Sequence, residues 1–140
     1  MGQAPFSASL PAQAELRFCV RPYDTDFMGI VNNLVYLRWF EDLRERLLDG
    51  VFPLKDMLAC GKSLILYETH IRHLCPLTLG SEPLGKVWME EVGRTLWKMR
   101  FEISDRGACC CEGWQKGCYY DLGRKRPAPF PPEFLKHFAQ

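Results

Sequence analysis

The sequence has almost no net charge: 18 Lys and Arg stand against 17 Asp and Glu over 140 residues, a balance of +1. Nucleic-acid-binding domains usually carry a basic excess, so nucleic acid is not an expected partner. No apolar run approaches the roughly 18–20 residues that span a bilayer, so no membrane span is expected. Residues 1–13 have neither a basic start nor an apolar core. No secretory signal is read there, and a cytoplasmic location is the expectation. Phe6 stands where a myristoylation pattern after Gly2 needs Ser or Thr. The seven cysteines include no Cys-x-x-Cys pair, and Cys109, Cys110 and Cys111 are consecutive. That excludes a zinc ribbon or a thioredoxin-type site, and leaves reduced thiols packed as small hydrophobes. Histidine is scarce. His70 and His73 lie three apart on a predicted strand and point to opposite faces, so no metal site is expected. There is no Gly-x-Ser-x-Gly elbow for a serine hydrolase. No cofactor is implied.

What is there fits one globular domain. Residues 1–13, rich in Ala, Ser, Pro and Gln, read as a flexible terminus, and 14–140 as a single domain. Leu16, Phe18 and Val20 alternate with polar residues, which predicts a strand ended by Pro22. From 32 to 49 the period changes to a helical one, with Tyr36, Phe40, Leu43 and Leu47 on one stripe. Asn32 or Asn33 can cap its start and Gly50 can close its end. Its first half, Leu34 to Phe40, is apolar almost all round, so a sheet is expected to enclose it. Glu41 and Arg44, three apart, read as an ion pair or an interface contact. Pro53 to Cys60 reads as a short helix. Period two returns at 62, then at Leu84–Val92, Thr95–Ile103 and Ala108–Asp121. The links around Gly93 and Gly107 are too short for crossovers, so those strands pair antiparallel. Pro131 to Phe138 reads as a short terminal piece. The fold class is α+β, with one long helix on an antiparallel sheet of about five strands.

The segment Tyr23-Asp24-Thr25-Asp26-Phe27-Met28-Gly29-Ile30-Val31-Asn32-Asn33 joins the first strand to that helix. A helix N-terminus offers unpaired N–H groups and the positive end of a dipole. A carboxylate a few residues upstream can face those donors. Such a pair suits acyl transfer: the N–H groups hold an oxyanion, and the carboxylate attacks or activates water. The local alternative is an Asx turn with capping carboxylates.

Residues 23–44 resemble the hotdog-fold acyl-CoA thioesterases of the 4-hydroxybenzoyl-CoA thioesterase type. Asp24, Asp26, Gly29, Val31, Asn33, Tyr36, Phe40, Glu41 and Arg44 fall where that pattern expects them. Gly93-Arg94-Thr95 resembles the family's Gly-Arg turn, and Asp121 to Pro132 its tail. The resemblance implies a helix wrapped by a five-stranded antiparallel sheet. It implies that Asp26 is the catalytic carboxylate, as nucleophile or general base, and that the backbone N–H near Asn33 polarises the thioester carbonyl. Tyr23, Gly29, Tyr36 and Arg94 are expected on the substrate side, with Arg94 toward a CoA phosphate, and Asp24 as a turn former or supporting group. It implies a homodimer or homotetramer with sites between subunits and sheets paired edge to edge. The substrate is a fatty or hydroxyaromatic acyl-CoA, or the same acyl group on acyl carrier protein. Hotdog dehydratases need a catalytic His, and none lies near Asp26. Asn33 stands where relatives carry His or Tyr, so no side-chain acid–base role is transferred to it. A non-catalytic acyl-CoA or lipid-binding hotdog module is the alternative.

Overall fold

The computed structural model describes residues 13–138. Their order is β1 (Gln13–Arg17), a single 3-10 turn (Pro22–Asp24), α1 (Asn33–Asp49), α2 (Leu54–Ala59), β2 (Lys62–His73), β3 (Leu84–Val92), β4 (Leu96–Asp105), β5 (Ala108–Asp121), β6 (Arg126–Pro127) and α3 (Pro132–Lys136). Residues 1–12 of the expected flexible terminus lie outside the described residues, and Gln13 opens β1.

Packing, more than capping, decides α1. Its N-cap is Asn32, whose side chain accepts the N–H of Leu34 at 2.9 Å. A cap of this kind is worth about 1 kcal/mol. The helix also buries Val35, Tyr36, Trp39, Phe40, Leu43, Leu47 and Leu48, and each such side chain contributes about 1.5–3 kcal/mol. Phe40 stacks on Phe101 of β4 with ring centroids 4.3 Å apart. Two glycines let helix and strands close up. A Cβ on Gly85 would meet the Phe18 ring at 2.6 Å, and one on Gly113 would meet the His70 carbonyl at 2.3 Å and Phe40 at 3.1 Å. At its far end α1 stops at Gly50, in a helical rather than a left-handed conformation.

The sheet is antiparallel throughout, in the order β1-β3-β4-β5-β2. The two-residue β6 pairs with the end of β5 at Tyr120 and Asp121, beyond the five expected strands. β3, β4 and β5 form the meander expected from their short links, and β2 lies next to β5. Register shifts at Tyr67 in β2 and Glu90 in β3 bend the strands around α1. One helix wrapped by a curled antiparallel sheet is the hotdog fold.

Two expectations change. The first strand ends at Arg17, not at Pro22. Phe18 and Val20 still donate to the carbonyls of Pro83 and Ser81, but Pro83 has no N–H to return, so the ladder ends. The sheet also does not enclose the first half of α1 completely. Leu34 and Leu37 stay exposed.

Candidate active site

The chain between β1 and α1 folds back on itself. Asn32 N–H donates to the Asp24 carbonyl at 2.9 Å, Thr25 bridges Val31, and Asp26 N–H donates to the Ile30 carbonyl at 2.9 Å. At the tip, Gly29 N–H donates to the Asp26 carbonyl at 3.0 Å, and Gly29 has φ +80, which favours glycine. The loop is anchored from outside by Val31 N–H on the Leu77 carbonyl and by the Ile30–Thr78 bridge. It therefore holds Asp26 on one arm and delivers the other arm into the first turn of α1.

The two acids of the Asp-x-Asp pair are held differently. Asp24 is 5% exposed. One of its oxygens accepts the N–H of Arg21 at 2.9 Å, and the other meets the Arg38 guanidinium at 3.4 Å. Its carboxylate is committed to holding the loop. Asp26 is half-buried. Its Oδ1 accepts the N–H groups of Met28 at 2.8 Å and Ile30 at 3.4 Å, which is the Asx turn. Its Oδ2 has no hydrogen-bond partner among the described residues. The Asx turn thus uses one oxygen of the carboxylate and leaves the other open.

Asn33 is the first residue of α1 and is exposed. Its side chain does not cap the helix; Asn32 does that. Nothing among the described residues accepts from or donates to Asn33 outside the helix ladder, so its N–H stands open at the positive end of the helix dipole.

The other expected residues are spread out. Tyr23 and Gly29 lie on the same loop and are exposed. Tyr36 sits one turn into α1 but is buried, edge-on to Trp39 and His73. Burial, reinforced by the Cys111, Cys110 and Cys75 thiols, pushes its phenol up to about 12. His70, by contrast, stacks on Trp114, so the two strand histidines do lie in different surroundings. Arg94 is exposed in the β3–β4 hairpin, and its carbonyl accepts Phe130 N–H from the chain after β6. That hairpin is tied to Tyr119, whereas the Asp26 end of the sheet is tied through Leu74 and Cys75 to Cys110. Cys110 and Tyr119 are nine residues apart on β5, roughly 30 Å at about 3.3 Å per residue. Within one chain, Asp26 and Arg94 stand at opposite ends.

Between α1 and the open edge of β2 runs a groove that the sequence did not reveal. Arg44 does not pair with Glu41 within 4.0 Å; it donates to Gln115, a buried side chain on β5, which in turn donates to Thr69 at 3.3 Å. Burial lowers the Arg44 pKa and the Glu41 charge opposes that shift. Alternation along β5 puts Gln115 on the helix side, a polar residue in an apolar row, and that was the available signal. Two cavities of about 270 and 210 Å³ follow this groove, lined in part by Leu37, Arg44, Leu66 and Gln115. Another cavity, about 580 Å³, opens on the other side of α1. It has both charge signs on its walls, and Asp26 is not among its lining residues. No helix among the described residues is long and apolar enough to cross a membrane.

Known proteins share this architecture. The DHNA-CoA thioesterase of Staphylococcus aureus superposes with a TM-score of 0.84 at 18% identity, over 90% of this chain and 88% of that one. SAV2348 from Staphylococcus aureus, solved in complex with CoA, gives 0.86 at 16% identity, over 95% and 85%. A Synechocystis sp. protein named as a proposed esterase is 28% identical over 102 residues, 71% of this chain. The chain spans 61% of the length of that curated relative. A family model described as the thioesterase-like superfamily matches residues 20–138, most of the chain. The protein belongs to the thioesterase-like superfamily.

Proposed function

We propose that this protein hydrolyses acyl-CoA thioesters, with Asp26 as the reacting carboxylate. One observation carries the reading: a single closed loop holds a carboxylate with an open Oδ2 and runs directly into an open backbone N–H at a helix start. The Asn33 N–H would polarise the thioester carbonyl and bind the oxyanion. Asp26 would either attack the carbonyl carbon or take a proton from an attacking water. Either route releases the carboxylic acid and the CoA thiol. Membership of the superfamily supports the reaction class, and the CoA-bound relative supports CoA as the carrier.

The separation of Asp26 from Arg94 favours a site shared by two copies. β2 is 12 residues long and, among the described residues, pairs with β5 on one side only, with Leu66 and Tyr67 exposed along it. Such an edge is a template for another strand. Antiparallel pairing of two β2 strands about a two-fold axis exchanges the ends of the sheet. It brings Arg94 and the basic run Arg124-Lys125-Arg126 of one copy toward Asp26 of the other. There they would meet CoA phosphates. It would also cover Leu37 and the groove of Arg44. Neither groove cavity alone reaches the ~300 Å³ usual for a ligand pocket, which fits a site that one chain leaves incomplete. Tyr23 and Gly29 would border the acyl group, and Tyr36 would support the helix from below.

The test is a hydrolysis panel of short, medium and long fatty acyl-CoAs with benzoyl- and naphthoyl-type CoAs. It is followed by thioester absorbance, because seven cysteines would react with a thiol dye. Steady turnover of at least one member is expected. Tight binding without turnover across the panel would make the protein an acyl-CoA-binding module instead.

A further inference from the structure

Asp26, Phe27, Met28 and Gly29 form a β-turn closed by the Gly29 N–H on the Asp26 carbonyl, with Phe27 and Met28 at its two corners. Turn corners ordinarily carry Gly, Pro, Asn, Asp or Ser. Here Phe27 is 99% exposed and Met28 72%. At the mouth of the same loop, beside the Asp24–Asn32 hydrogen bond, Tyr23 is 78% exposed and Leu34 69%. None of the four belongs to the buried core, so their apolar surface adds little to the stability of the chain. Large apolar side chains grouped at one place on a surface mark a binding site. These four flank the two groups that would act on the thioester.

We propose that Phe27 and Met28 are specificity-determining residues that receive an extended alkyl acyl chain and set how affinity rises with its length. The inference rests on the thioesterase reading and adds the acyl class to it. Phe27, Met28 and Leu34 present only carbon and thioether surface, and each methylene they cover is removed from water; Tyr23 carries the one hydroxyl of the four. Met28 has the rotatable bonds to fit chains of different length. The Asx turn fixes both corners relative to the Asp26 carboxylate, so the acyl carbons next to the thioester would lie against them first.

The test compares wild type with the double variant Phe27→Ser/Met28→Ser. The ligands are non-hydrolysable S-alkyl-CoA thioethers of short, medium and long chain, and affinity is read by calorimetry. Melting temperature and solution mass are measured on both proteins. For wild type, log Kd should fall with chain length by up to about fourfold in Kd per buried methylene. In the variant that slope should flatten, with an unchanged melting temperature and an unchanged solution mass. A parallel loss at every chain length would overturn the inference. So would an unchanged slope, or a change of oligomeric state showing that the two side chains serve a subunit interface. Because binding is read without turnover, a wild type that shows the slope but hydrolyses no acyl-CoA would refute the enzyme and leave the acyl-chain site standing.

Discussion

The N–H of Asn32 donates to the carbonyl of Asp24 at 2.9 Å, and this bond closes the loop that carries Asp26 onto the start of α1. It makes one rigid unit of a carboxylate and a helix N-terminus that the linear sequence separates by six residues. Asp24 secures the unit from the other side through Arg38, which lies 14 residues away on the helix.

If the helix N–H is the oxyanion donor, Asn33→Pro removes it without breaking the helix. Proline is tolerated in the first helical position. Asn32 already has φ −65 and ψ 138, the extended geometry that precedes proline. The kcat should fall by about 10²–10³, the usual effect of losing one such donor. Asn33→Ala keeps the N–H and should retain most activity. Equal losses in the two variants, measured beside thermal melts, would move the role to the Asn33 side chain.

Asp24→Ala tests the division of labour between the two acids. It leaves the Arg21 N–H and the Arg38 guanidinium without their shared acceptor. A loss of about 1–3 kcal/mol in stability is expected, together with lower activity from a loosened loop. Asp24→Asn keeps an acceptor oxygen and should lose less. Urea unfolding checks both. An unchanged midpoint in Asp24→Ala would show that the loop does not depend on this carboxylate.

Much of this was legible in the residues. The period-two stripes and the stripe Tyr36-Phe40-Leu43-Leu47 placed helix and strands, since burial against a sheet enforces those spacings. The alternation could not show which strand β2 would join, because pairing partners are set by long-range closure. The Asp-x-Asp motif marked the loop but not which acid was tied down. That depends on Arg38, brought close only when α1 packs. Arg44 is similar: three residues from Glu41 on one helix, it turns instead to Gln115, 71 residues away.

The open edge of β2 should govern assembly. Leu66→Lys places a charge where two β2 strands would pair. Light scattering should show a smaller species than wild type, and kcat/KM should fall with it, since Asp26 would lose the second copy's basic groups. A fully active monomer would contradict the shared site.

Alkaline pH should unfold the protein early. Burial pushes Tyr36 up to about 12 from 10.0, and Cys110 and Cys111 up to about 12 from 9.0. Because all three folded values are raised, the folded chain keeps protons that the unfolded chain gives up. Their contribution is complete below about pH 9 and is lost as the pH rises toward about 12. Denaturant midpoints should decline across that window, and Cys111→Ala should move the onset upward. A flat profile would mean that these groups are not protected by the fold.

The most direct measurement is turnover of the best acyl-CoA substrate by Asp26→Asn, beside its melting curve. The substitution keeps the Oδ1 that accepts from Met28 and Ile30, so the loop should persist. It removes the charge from Oδ2, the oxygen that no described residue engages. A folded protein with kcat reduced by about 10²–10⁴ is the expected result. A folded Asp26→Asn protein that turns over at the wild-type rate would contradict the account at its centre.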